Sequence, residues 1–538
     1  MQDSRNEEVP TAPQEEEQGS SCTRGWQPQK QEYLVLGSLA LASLVVALDS
    51  TILVTALPTI SRDLDGTATE AFWSATSYLL TYAVFQPVIA SLSDIFGRCK
   101  SLFASVLFFT IGSLIACLSR NFACLLSGRT IQGIGGGGVM VMVLVIATDV
   151  IPLRYLPKYQ GLVQMSWAIG TMSGPLIGGI FAQVTTWRWV FYINFPICGI
   201  SMFLIPLTIQ HGGLGGTVKQ RVARIDFPGA ALLVASFTTF LVAVTLGGTT
   251  FPWGSVHTII PLAIGVLGIA GTFAWELLGA RTPILRASLF QMRFSTVPYI
   301  CAAIQGFLLL ATFYYFVLYL NAVKRLSPIM SGVALLAATA SLIPASVISG
   351  ILVTKSGQLR WFIVAGWVLT ILATGLLSLC DRQTPVIKWA WFLIITGAGH
   401  GILVVGHVYA AQANTTPKDA TNATAFCCFS RSIGFCTGVA VGGSIFQNML
   451  SVKLQEKGMS GSIATDAVTY AGTLRSLPAS DPKTIILIQV FSDSFQVLSL
   501  ALTGIGAIGG ILSFMVPRHV SGPRCLRTHP LWAHRLSS

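Results

Sequence analysis

Fourteen stretches of about twenty mostly apolar residues run through this chain, at 34–57, 71–92, 102–118, 123–147, 159–181, 189–209, 227–246, 258–278, 295–320, 332–353, 361–379, 389–411, 423–446 and 486–515. A run of that length can cross the hydrocarbon core of a bilayer as a helix. The expectation is an all-α polytopic membrane protein with fourteen transmembrane helices. Composition argues against a soluble alternative. Of the 538 residues, 53% are hydrophobic and 10% charged, against about 25% charged in soluble domains.

The net charge of +12 raises nucleic acid as a partner, but the charges are laid out as topology. With the N-terminus in the cytosol, thirteen Lys and Arg fall in short inner loops and seven in short outer loops. That bias obeys the positive-inside rule, and an even number of spans puts the C-terminus in the cytosol as well. No nucleic-acid partner is expected. Residues 1–32 are polar and acidic and read as a disordered cytosolic N-terminus. They lack the layout of a cleaved signal. The eleven Cys show no CxxC spacing and read as small packing residues, so neither disulfides nor a metal site is expected.

Glycines repeat along the chain. Ile169-Gly170-x-x-x-Gly174-Pro175-x-x-Gly178-Gly179 in the fifth span returns 264 residues later as Ile433-Gly434-x-x-x-Gly438-Val439-x-x-Gly442-Gly443 in the thirteenth. Glycines at i, i+4 and i+8 give a helix one smooth face for close approach. The loop with Asp94, Gly97, Arg98 and Lys100 has a counterpart at 350–360, and Gln132-Gly133-Ile-Gly135 has one at Thr396-Gly397-Ala-Gly399. Spans 1–6 and 9–14 thus read as parallel repeats. The expected domains are a six-helix bundle at 33–209, a linker with two extra spans at 210–293, a second six-helix bundle at 294–516 and a cytosolic tail at 517–538. The second bundle includes a long extracytosolic loop at 447–485. The glycine faces are expected at a mobile interface between the halves, with Pro175 bending its helix there.

These segments carry a resemblance. The loop at 90–100 looks like the signature between helices 2 and 3 of the major facilitator superfamily, with Ala90 where Gly is usual and Cys99 where a base is common. Arg129-x-x-Gln132-Gly133-x-Gly135 resembles its helix-4 motif, and the run from Gly170 to Gly179 its antiporter helix-5 motif. Leu48-Asp49-Ser50-Thr51-Ile52-x-x-Thr55-Ala56-Leu57-Pro58 resembles the helix-1 signature of the fourteen-helix drug:H+ antiporter family. Trp187-Arg188-Trp189-Val-Phe191-Tyr192-Ile-Asn194 is similar to that family's sixth-helix start. From about 33 to 516 the chain resembles this family, of the fungal toxin and drug efflux pump type. The resemblance implies a major facilitator fold of 6 + 2 + 6 helices, proton antiport, and a part for Arg129 in proton coupling.

A charge inside the bilayer costs about 2.5–3.5 kcal/mol by insertion scales, so it usually faces a cavity or a partner. Asp49 is a candidate proton or cation acceptor, or else a structural acceptor for a neighbouring helix. Arg129 shares a helix face with Gln132, Gly133, Gly136 and Met140. It reads as a coupling cation or a structural donor. Arg431 faces a cavity or snorkels to the inner surface. His400 and His407, seven apart on one face, carry protons or act as neutral donors between helices. Asp94, Gly97, Arg98 and Lys100 form a hairpin expected to latch one access state. Tyr78, Gln86, Gln132, Asn194, Gln305, Tyr314, Tyr315 and Gln412 are candidate cavity-lining groups.

The leading expectation is a secondary active transporter, not an enzyme, that exports amphipathic small organic molecules by proton antiport. It would act as a monomer without cofactors, in the plasma membrane, with the vacuolar membrane as the alternative. A vacuolar carrier of basic amino acids is the rival within the class. A membrane-embedded acyltransferase using His400 or His407, and a nutrient sensor, are rivals outside it. Gly133 to Gly138 matches a dinucleotide fingerprint, but that motif needs a preceding strand and an aqueous helix start. It lies here within an apolar run. No P-loop occurs, so ATP is not the expected energy source.

Overall fold

A helix covers each apolar run. The computed structural model describes residues 28–516 apart from 67, 153–154, 210–216, 249, 293, 417–418, 466, 476 and 479–480. The expectations for residues 1–27 and for the tail at 517–538 lie outside the described residues. Among the described residues the fold is all-helical, with one isolated bridge between Gly247 and Phe251.

The first half runs α1 (Lys30–Asp63), α2 (Ala68–Val84), α3 (Gln86–Phe96), α4 (Arg98–Cys117), α5 (Phe122–Val150), α6 (Leu156–Val184), α7 (Trp189–Tyr192) and α8 (Asn194–Thr208). Next come the short α9 (Val218–Val222) and the long pair α10 (Phe227–Leu246) and α11 (Val256–Leu278). The second half runs α12 (Val297–Ala322), α13 (Pro328–Ser356), α14 (Arg360–Leu377), α15 (Val386–Ala413), α16 (Ala420–Glu456), α17 (Ser462–Thr465), α18 (Ala467–Leu474) and α19 (Pro482–Ser513).

Among the described residues, twelve spans are long and apolar enough to cross a membrane, and α2 with α3 would make a thirteenth. The sequence reads that pair as one straight run. The structure bends it by 44° at Phe85, where Pro87 starts α3 without a backbone donor. The run at 159–181 lies in α6, whose 29 residues rise about 1.5 Å each. It stands outside the count because glycine, serine, threonine and proline dilute its hydropathy. The stretch at 447–485 reads as a loop but is partly helical: α16 continues to Glu456, and α17 and α18 follow.

Helix pairing repeats between the halves. In the first, α1 packs on α6, α5 and α8, α5 on α2 and α4, and α4 on α8. In the second, α12 packs on α16, α15 and α19, α15 on α13 and α14, and α14 on α19. The contacts between halves are reciprocal too: α6 lies along α13, and α16 along α2 and α3. The inserted α10 sits against α2 and α16, with Phe237 edge-on to Phe429 at 5.0 Å between ring centroids.

The glycine faces correct one expectation. They turn toward their own half, not toward the other. A Cβ at Gly170, Gly174 or Gly178 would meet the α1 backbone at Leu44, Leu48 or Ile52. One at Gly434 or Gly438 would meet the α12 backbone at Ala303 or Phe307, and Gly442 faces the Tyr315 ring. Gly179 and Pro175 do reach across, to Ile329 and Gly332 on α13. Pro175 has no N–H for the Thr171 carbonyl one turn back. Thr51 of α1 donates its hydroxyl to that carbonyl at 3.0 Å. The broken helical bond is thus replaced by a bond between helices.

Candidate functional site

The close approach of α4 to α5, at Gly112 against Gln132, brings Ser113 into reach of the Gln132 side chain. Gly133 and Gly136 of α5 make room for α2 and its Tyr78 ring. Into this pocket of small residues α1 presents Asp49, 0% exposed. Asp49 Oδ2 accepts from Arg129 Nη1 at 2.6 Å. Its Oδ1 accepts from Gln132 Nε2 at 2.8 Å and from Asn194 Nδ2 at 2.9 Å. Arg129 also donates to Gln132 Oε1 at 2.7 Å and to the Ser74 carbonyl at 3.2 Å, and lies 4.2 Å from the centroid of the Tyr78 ring. Five helices therefore converge on one buried ion pair. A buried pair needs such satisfaction, because breaking it strands a charge at a cost of about 3–5 kcal/mol.

Of the residues singled out in the sequence, Asp49, Arg129, Gln132, Asn194 and Tyr78 assemble here. Gln132 and Asn194, expected to line a cavity, are instead ligands of the carboxylate. Ser113 went unnoticed, since a serine in an apolar run carries no signal of its own.

A second cluster lies in the other half. Arg431 of α16 is 6% exposed and does not snorkel. Its Nε donates to Gln305 Oε1 at 3.0 Å and its Nη2 to the Val404 carbonyl at 3.0 Å. Gln305 Nε2 stands 3.4 Å from His400 Nδ1. His407 is buried against Trp367, with ring centroids 5.8 Å apart.

A third group closes the Arg98 end of the interface. Gly97 has φ +99°, which a side chain would strain, so the turn from α3 to α4 depends on glycine. Arg98 pairs with Asp94 at 2.6 Å and with Asp149 at 2.8 Å. Asp149 Oδ1 accepts from Thr421 of the other half at 2.7 Å. Arg286 pairs with Asp94 at 3.4 Å and with Asp419 at 3.2 Å, so it touches both halves. Glu276 accepts from the backbone N–H of Ile284 at 2.7 Å and of Leu285 at 3.2 Å, which shapes the turn presenting Arg286. Lys100, expected in this group, is exposed and joins none of its ion pairs. Asp149, Arg286, Asp419 and Thr421 were missed. The signal available was weak: charged residues at the ends of apolar runs.

Of the remaining polar candidates, Gln86, Gln412 and Tyr315 also bond within the protein. Gln86 donates to Ser432 across the α3–α16 contact at 2.9 Å. Gln412 donates to Thr424 at 2.7 Å and to Thr148 of the first half at 3.4 Å. Tyr315 donates to the Val439 carbonyl at 2.8 Å, with Tyr314 edge-on to it.

Burial works against the Asp419 charge. Bonds from Thr416, Ser288 and Arg286, with the Arg286 charge, outweigh it and hold the carboxyl below the ordinary carboxylate range. A lowered folded-state value makes the contribution fully present above the ordinary Asp value, and lost as pH falls through the lowered one. The Arg286–Asp419 contact is therefore expected to be indifferent to pH from 8 down to about 5. Spin labels at Lys100→Cys and Lys355→Cys should give one distance distribution over that range and broaden only in stronger acid. In Asp419→Asn they should broaden at every pH.

Comparison with known proteins agrees with this architecture. A sequence model described as the Major Facilitator Superfamily matches residues 39–439. The protein named "Efflux pump FUS6" from Gibberella moniliformis is 33% identical over 495 residues, 90% of this chain and 87% of that one. The "Acurin A biosynthesis cluster MFS-type transporter" of Aspergillus aculeatus is 36% identical over 416 residues, 77% of this chain and 75% of that one. In fold, the chain is similar to the crystal structure of a bacterial homolog of the human lysosomal transporter Spinster. The TM-score is 0.57 at 15% identity, covering 91% of this chain and 97% of that one.

Proposed function

The chain belongs to the major facilitator superfamily and is a multi-pass membrane transporter; from that premise we propose that it exports amphipathic small organic molecules in exchange for protons. The observation that carries the proton half is the buried Asp49–Arg129 pair, held by Gln132 and Asn194. A carboxylate gripped by three side chains from two other helices has two states. Ionised, it knits α1 to α5 and α8. Protonated, it loses the attraction of Arg129 and frees those helices to shift. The Tyr78 ring would still attend the guanidinium through its π face.

Export is favoured because relatives are named efflux pump and biosynthesis-cluster transporter. A secondary metabolite or toxin fits both names. The two halves, 33–209 and 294–516, would rock about a central axis. The Asp94–Arg98–Asp149–Thr421 group would shut the cytosolic side in one state. We take the crossings as fourteen with both termini cytosolic, in keeping with a helix at every apolar run and the inner bias of Lys and Arg. The plasma membrane is the proposed location and the monomer the proposed unit.

The driving force suffices. One proton moving inward gains about 2.3 kcal/mol per 100 mV, and each pH unit adds about 1.4 kcal/mol. Proteoliposomes loaded with a pH-sensitive dye and challenged with a panel of fungal metabolites, pigments and antifungal drugs test this reading. At least one compound should move protons in the direction opposite to its own transport. Compound flux with no proton movement would refute antiport. In the same assay, Arg286→Ala should raise the exchange rate several-fold if that contact slows opening of the cytosolic side.

A further inference from the structure

The two halves bury one guanidinium each, but they treat it differently. Arg129 is 1% exposed and sits 2.6 Å from a carboxylate. Arg431, almost as deeply buried, has only neutral partners, the Gln305 amide and the Val404 carbonyl. Among the described residues it joins no ion pair. Beside it are imidazoles with unused hydrogen-bonding capacity. Both ring nitrogens of His407 and Nε2 of His400 are buried without a partner. Arg431 and His400 are the titratable neighbours of His407. Tyr82, from the other half, lies within reach of the Arg431 charge.

Buried polar groups without partners are uncommon in native proteins and call for a reason. A buried charge lacking a counter-charge is costlier still. A cation, an amide and two imidazoles with open N–H positions make a donor-rich cluster, and what completes such a cluster is an anion with several oxygen acceptors. The cluster sits among α12, α15 and α16 of the second half, and α16 also makes a contact with α2 of the first half, where Tyr82 lies.

We propose that Arg431, with Gln305, His400 and His407, binds an ionised oxygen-acid group of the transported molecule, a carboxylate or an acidic enol. The exported compounds are then amphipathic organic acids. This rests on the transporter reading and narrows its substrate class. The guanidinium makes a two-pronged bond to the two oxygens, and the His407 ring donates to one of them. The apolar body of the acid faces Tyr82 and the α2 side of the contact.

The test compares acids with amides of the same shape. Purified protein in nanodiscs is titrated with 2-naphthoate and decanoate, and with 2-naphthamide and decanamide, and binding is followed by thermal shift and Trp fluorescence. The acids should bind at least about tenfold tighter than the amides. Arg431→Gln should abolish that preference while leaving amide binding unchanged, and Arg431→Lys should restore part of it. Should Arg431→Gln not fold, Gln305→Glu supplies the missing counter-charge from within. It should raise thermal stability and abolish acid binding. Equal binding of acid and amide, no binding of either acid, or acid binding intact in Gln305→Glu overturns the proposal. None of those outcomes touches the transporter reading, which stands or falls on proton movement in the dye assay.

Discussion

Asp49→Asn is expected to bring pH-driven transport in proteoliposomes to background while exchange of labelled for unlabelled substrate, with no pH gradient, continues. The amide keeps the size of the carboxyl and can still accept from Gln132 or Asn194, now 2.8 and 2.9 Å from Asp49 Oδ1. What disappears is the group proposed to take up and release a proton, along with the counter-charge of Arg129. Stranding a buried cation costs about 3–5 kcal/mol, so a lower melting temperature should accompany the change. Persistent exchange separates loss of coupling from loss of fold. A pH-driven rate close to wild type in Asp49→Asn would remove Asp49 from the mechanism. Asp49→Ala is the harsher variant, and both activities should fail.

The second large effect concerns packing. Gly438→Val is expected to eliminate the monodisperse peak in size-exclusion chromatography, because its Cβ would fall on the Phe307 backbone carbonyl of α12. Overpacking costs about 1–3 kcal/mol and sometimes more. A backbone carbonyl in mid-helix cannot swing aside as a side chain can. Gly178→Val should fail equally, against the Ile52 backbone of α1. Gly199→Val is the control: nothing lies within 4 Å of its added Cβ, and its yield should match the parent. If Gly438→Val and Gly199→Val behave alike, the tight α12–α16 contact does not form in the membrane.

The helices were legible because a bilayer demands long apolar runs, and the repeat because its glycines keep nearly one offset. Asp49, Arg129 and Arg431 stood out for the same reason: each is a charge in an apolar run. What each charge meets was not legible. Asp49 and Asn194 lie 145 positions apart, and local periodicity carries no information about which distant helix comes alongside. The glycine code shows the limit most clearly. Spacing of four identifies a smooth face, yet nothing in it says whether the neighbour belongs to the same repeat or the other. The bend between α2 and α3 did have a local mark in Pro87, hidden within a mostly apolar run.

The two-helix insert makes the molecule lopsided. It covers the line where α16 meets α2 on one flank, with Phe237 wedged beside Phe429, and leaves the matching α6–α13 line on the other flank uncovered by that pair. A hydrophobic molecule dissolved in the lipid leaflet thus finds one shuttered side and one bare one. Access from the bilayer would be restricted to the bare side, and greasy compounds would travel an asymmetric route through a protein whose two halves repeat one helix pairing.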